Sequence, residues 1–122
     1  MLKLIFVGLL LIGFGGHAQD GNHFLKTCGA AIRSSDGEKL GDIEMMPSIY
    51  CISYLSGFMD GMSIQLSATQ GKKAVCLPEK GITNDQAVRT FVKHLRDNPQ
   101  VLHESGRMSF FILLAKAFPC GK

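Results

Sequence analysis

Residues 83–99 run Thr83-Asn84-Asp85-Gln86-Ala87-Val88-Arg89-Thr90-Phe91-Val92-Lys93-His94-Leu95-Arg96-Asp97-Asn98-Pro99. The first four residues form a capping box. The Thr83 hydroxyl accepts from a free amide of the first turn, while Gln86 reaches back to the amide of Thr83. Val88, Phe91, Val92 and Leu95 then follow at i, i+3, i+4 and i+7, the spacing of one helical face. Arg89, Lys93 and Arg96 take the wet side. Asp97-Asn98-Pro99 stops the helix, with Asn98 placed to cap a further helix that has Pro99 at its first position. That helix is expected to run without interruption from Pro99 to about Phe118. Its apolar run, Phe110 to Ala115, marks it as the central helix of a bundle.

Two more helices precede these. The first covers about 20–33. Asp20 or Asn22 caps it, Phe24, Leu25, Cys28, Ala31 and Ile32 share a face, and Ser34-Ser35-Asp36-Gly37 ends it. The stretch up to Pro47 reads as a loop, and the second helix runs from Ser48 to about Ser67. Its apolar stripe is Ile52, Leu55, Met59, Met62 and Leu66. A polar stripe carries Ser53, Ser56, Asp60, Ser63 and Ser67, and a third carries Tyr50, Tyr54, Gly57, Gly61 and Ile64. Gly57 and Gly61 each cost about 1 kcal/mol of helix propensity relative to Ala. Close approach of another helix along the two glycines is the expected compensation. The expected fold is therefore all-α, a small bundle of four main helices. Residues 68–82 form the long loop, with Val75-Cys76-Leu77-Pro78 as an extended piece.

The chain has 122 residues and a formal charge of +3. Residues 1–18 have the layout of a secretory signal peptide. Lys3 precedes an apolar run from Leu4 to Phe14, and Gly16-His17-Ala18 supplies a small-x-small cleavage site after Ala18. Loss of this leader leaves residues 19–122, the length of one domain. The expected location is the periplasm, with no membrane association after cleavage. A small net charge with scattered lysines and arginines argues against nucleic acid as a partner.

Four cysteines in a short exported chain read as two disulfides. They are Cys28, Cys51, Cys76 and Cys120. There is no CxxC and no CxxCH, and no close ligand pair for zinc. Of three possible pairings, Cys28–Cys51 joins the first two helices across their loop. Cys76–Cys120 then ties the loop before the third helix to the C-terminal end. In the loop-entropy picture such loops contribute roughly 3.5 and 4 kcal/mol.

No catalytic constellation emerges. His23, His94 and His103 lack partners at ligand or triad spacing. His103-Glu104 is not a zinc-protease motif, because Arg107 stands where the second His is needed. Asp60 is an acid among small residues with no second carboxylate to pair with, and it is expected to hydrogen-bond a neighbouring helix or loop. The expected catalytic, metal and cofactor content is none. A small hydrolase is disfavoured by the missing nucleophile–base pair.

The order of motifs is informative. It runs Leu25-x-x-Cys28; Cys51-x-x-Tyr54-x-x-Gly57-x-x-Asp60-Gly61; Cys76-Leu77-Pro78; Thr83-x-x-Gln86; Asn98-Pro99 with Leu102-His103; and Ala117-Phe118-Pro119-Cys120. This set resembles the Rap/Tai family of type VI secretion system immunity proteins over nearly the whole domain. The resemblance implies a non-enzymatic toxin inhibitor whose partner is a secreted peptidoglycan amidase effector in the periplasm. It also implies a homodimer. Glu104-Ser105-Gly106 departs from the family pattern, which often has Ala after the Leu-His pair. For contact with the effector, the polar loop Thr69, Gln70, Gly71, Lys72 and Lys73 is the expected carrier, since loops on rigid scaffolds bear such contacts. The competing reading is a periplasmic acid-stress chaperone. A charged content of 19% and the glycines of the second helix favour a fixed fold over an acid-unfolding one.

Overall fold

The computed structural model describes residues 19–121. It contains α1 (Gly21–Ser35), α2 (Asp42–Ala68), α3 (Asn84–Asp97), a 3-10 turn (Pro99–Val101) and α4 (Gly106–Ala117). No strand occurs among the described residues, and both expected disulfides are present, Cys28–Cys51 and Cys76–Cys120. The leader, residues 1–18, lies outside the described residues.

The core is an aromatic column. Phe24 of α1 meets Phe91 of α3 at a ring separation of 5.5 Å, and Phe91 meets Phe110 of α4 at 5.0 Å. Tyr54 and Phe58 of α2 close it from the side, 4.9 Å from Phe24 and 5.2 Å from Phe110. Leu55, Leu95, Val92 and Leu114 fill in around the rings, all buried. The Cys28–Cys51 bridge is fully buried between α1 and α2. Interiors this closely packed respond to single methylene changes.

α1 begins as expected: Asp20 accepts from the His23 amide at 2.9 Å. Asn22 is not the cap; its side chain donates to the Leu102 carbonyl instead. At the far end Gly37 takes a positive φ of 93°, where Gly is favoured. α3 has both bonds of its capping box, at 3.1 and 2.9 Å. Its buried face is Ala87, Val88, Phe91, Val92 and Leu95.

α2 differs from expectation in length. It starts at Asp42, six residues before Ser48, and carries Pro47 inside. Pro47 lacks only the bond to the carbonyl of Ile43, which lies in the exposed first turn (Ile43 is 89% exposed). Asp42 and Glu44 favour the early start electrostatically, and Glu44 also pairs with Arg33. The core stripe of α2 is Cys51, Leu55 and Met59, with Phe58, Met62 and Leu66 packed beside it. Ile52 is exposed instead.

α4 also differs. The helix expected from Pro99 is split into a 3-10 turn and a helix starting at Gly106. The start of α1 docks into the split. Gly21 and Asn22 amides donate to the carbonyls of Glu104 and Leu102 at 3.2 and 3.1 Å, and Gly106 donates to Gln19 at 2.8 Å. Backbone groups used across the fold in this way are lost to a continuous helix. Gly106 is required here, since a Cβ on it would collide with the Phe24 ring. Asn98 does not cap the next segment; its side chain donates to the His94 carbonyl at 2.8 Å. The centre of the bundle belongs to α1 and α3, while α4 leaves Met108 and Ile112 exposed.

Candidate interaction surface

The loop from Thr69 to Thr83 stands between two rigid ends. At the first end, Thr69 terminates α2 with its amide and hydroxyl both donating to the Gln65 carbonyl, at 3.0 and 2.8 Å. Gln70 through Ala74 are exposed, and Gly71 turns the chain with φ of 96°. Val75 then plunges into the core with no exposed surface. The Cys76 amide donates to the Phe118 carbonyl at 2.8 Å beside the Cys76–Cys120 bridge. Lys72 and Lys73 line an open cavity with Gly71, Cys76, Cys120 and Gly121. The loop thus presents two cations on a backbone held from both sides.

The motif residues of α2 are arranged differently from expectation. A Cβ added to Gly57 or Gly61 would meet nothing within 4 Å, so no helix among the described residues approaches them. Asp60 is exposed and makes no hydrogen bond among the described residues. Tyr54 alone of the four packs inward, stacked on Tyr50 at 5.9 Å. Burial, then the neighbouring Tyr54, pushes the Tyr50 hydroxyl above its usual pKa.

Sequence reasoning missed the stripe on the outer side of α2. Ile43, Met46, Ile49 and Ile64 are 89, 66, 51 and 72% exposed. Their spacing, with Ser53, Gly57 and Gly61 between, places them along one side of the helix. The signal was the continuation of the 3–4 period upstream through Pro47. A second missed feature is the cluster tying α1 to α3. Arg89 donates to Asp36 and Asp85 at 2.6 and 2.8 Å, and Ser35 donates to Asp85 at 2.8 Å. Hydrogen bonds from Arg89 and Ser35 hold the Asp85 carboxyl below the usual carboxylate range.

The chemistry-bearing residues do not assemble. His23 is half-buried, edge-on to Tyr50 at 5.1 Å. His94 lies near Asn98, and burial followed by the Lys116 charge lowers its pKa. His103 is exposed. All four cysteines are in disulfides, and no group of three or more metal-suited side chains occurs among the described residues. No helix among them is long and apolar enough to cross a membrane.

A family model described as Rap1a immunity proteins matches residues 20–120. No curated protein and no solved structure gives a significant match. The coarse functional reading that follows from the family is an immunity protein directed against a secreted effector. The match spans every helix and all four cysteines, and the chain belongs to the Rap1a immunity protein family.

Proposed function

We propose that this protein binds and inhibits a peptidoglycan amidase effector of the type VI secretion system in the periplasm, without catalysis of its own. The observation that carries the reading is the family match from residue 20 to 120. Two disulfides and the leader-like residues 1–18 support export to an oxidising compartment. Inhibition by occlusion requires only a rigid surface. The loop bearing Thr69, Gln70, Lys72 and Lys73 is a suitable one, because its ends are already fixed and little ordering entropy is lost on binding.

The test is to search beside this gene for a secreted amidase, and to co-express the protein with that amidase exported to the periplasm of a host bacterium. Cell lysis suppressed by the full-length protein is the expected result. Lysis unaffected by it contradicts the reading.

The protein acts as a homodimer in this account, with the outer stripe of α2 as the contact. Ile43, Met46, Ile49 and Ile64 form an exposed apolar line, and the open Gly57 and Gly61 admit a close second helix. Sedimentation of the mature protein is expected to give twice the chain mass, and Ile64→Asp the single chain mass. A monomeric parent protein removes the dimer from the account and leaves inhibition standing.

A further inference from the structure

The two disulfides occupy opposite environments. Cys28 and Cys51 are both 0% exposed, inside the packed core. Cys76 is exposed and Cys120 half-exposed, and both line the open cavity shared with Lys72 and Lys73. Cys76 also borders a second surface cavity with Ser63, Ser67 and Leu77, so open space lies on two sides of this residue. Thiol–disulfide exchange needs access of a thiolate to a sulfur, and neighbouring cations favour the thiolate form.

We propose that Cys76–Cys120 is a reducible latch on the loop 69–83, opened by a dithiol reductant while Cys28–Cys51 and the helices stay intact. One thiolate of the reductant attacks the Cys76 sulfur. A new S–S bond forms there, the Cys76–Cys120 bond breaks, and the electron pair leaves on the Cys120 sulfur, which takes a proton. The second thiolate of the reductant then closes onto its own partner sulfur. Cys76 leaves as a thiolate and is protonated. The bridge has gained two electrons and two protons, and the dithiol departs as a disulfide.

Opening leaves the loop with few restraints. Between Gln70 and Pro78 they are the buried Val75 side chain, Leu77 half-buried against the core, the bond from the Cys76 amide to Phe118 and the bond from the Gly81 amide to Pro78. Residues 70–74 are already exposed, so this segment gains the most freedom. The core does not depend on the latch in the same way, because the Phe24–Phe91–Phe110 column and the buried bridge lie elsewhere.

The test uses the whole protein without denaturant, with dithiothreitol as the reductant. Freed thiols are alkylated at intervals and located by peptide mass. Cys76 and Cys120 are expected to label about tenfold or more ahead of Cys28 and Cys51. The helical circular-dichroism signal is retained, and trypsin cleaves after Lys72 and Lys73 about tenfold faster than in the oxidised protein. The double variant Cys76→Ser/Cys120→Ser is expected to show the same fast cleavage with no reductant present. Simultaneous opening of both bridges, earlier opening of Cys28–Cys51, or loss of helical signal in the double variant would overturn the proposal. So would unchanged cleavage. These readouts involve no effector, so they stand apart from the immunity reading.

Discussion

The inner and outer sides of α2 are built on different rules. Inward, Cys51, Leu55 and Met59 meet α1 and the aromatic column, and each is buried. Outward, Met46, Ile49 and Ile64 are as apolar but remain largely exposed among the described residues. Apolar periodicity alone does not distinguish the two, since both repeat every three or four residues. What separates them is a partner, supplied on one side by Phe24 and Cys28 and absent on the other among the described residues.

Substitution on each side breaks or sharpens this contrast. The largest effect is expected at the centre of the column. Phe91→Ala should lose about 3–5 kcal/mol in urea unfolding, through lost transfer and a cavity. Ile64→Ser should change monomer stability by no more than about 0.5 kcal/mol, as at other exposed sites. Equal losses would mean the outer stripe is buried in the folded chain.

The bridges give the next comparison. Loop length alone ranks Cys76–Cys120 slightly above Cys28–Cys51. Burial ranks them the other way. Replacing Cys28 and Cys51 by Ala is expected to cost about 4 kcal/mol, against about 2 kcal/mol for Cys76 and Cys120. Thermal unfolding of the two double variants decides which ranking holds.

Smaller effects follow at the helix ends and glycines. Thr83→Ala removes the capping box and should cost about 1 kcal/mol. Gly57→Ala and Gly61→Ala should each raise helix stability by about 1 kcal/mol, because space is open at both. The same two changes should weaken self-association, which sedimentation of the variants measures.

The smallest effect is a pH dependence at His94. Burial and Lys116 favour its neutral form in the folded state, so its folded pKa lies below the ordinary 6.5. The unfolded chain then binds more protons near that pH, and stability rises with pH through the window just below 6.5. His94→Gln should flatten that rise in unfolding measured between pH 5 and 7.

How much of this was legible before the structure depends on the range of each signal. α3 was legible in full, because Thr83 and Gln86 cap it locally and its apolar face repeats cleanly. The bridges followed from which elements each cysteine flanks. The start of α2 was hidden by Pro47, a strong stop signal that the first turns of a helix tolerate. The split before α4 was hidden because its partners, Gln19, Gly21 and Asn22, lie about 80 residues away in the chain. The Arg89 cluster was hidden for the same reason, its Asp36 contact spanning 53 residues. In the candidate site, the exposed loop at Gln70, Lys72 and Lys73 was readable as a polar break between helices. The outer stripe of α2 was not, since only burial tells an unpartnered apolar face from a core one.

The proposed function has this domain inhibit an amidase effector by binding it through the loop 69–83. Calorimetric titration of the mature protein into a secreted peptidoglycan amidase found beside its gene tests it most directly. The account predicts a saturable complex with loss of amidase activity, weakened at least about tenfold by alanine at Gln70, Lys72 and Lys73 together. Absence of any complex would contradict it, and unchanged affinity in the triple variant would remove the loop from the interface.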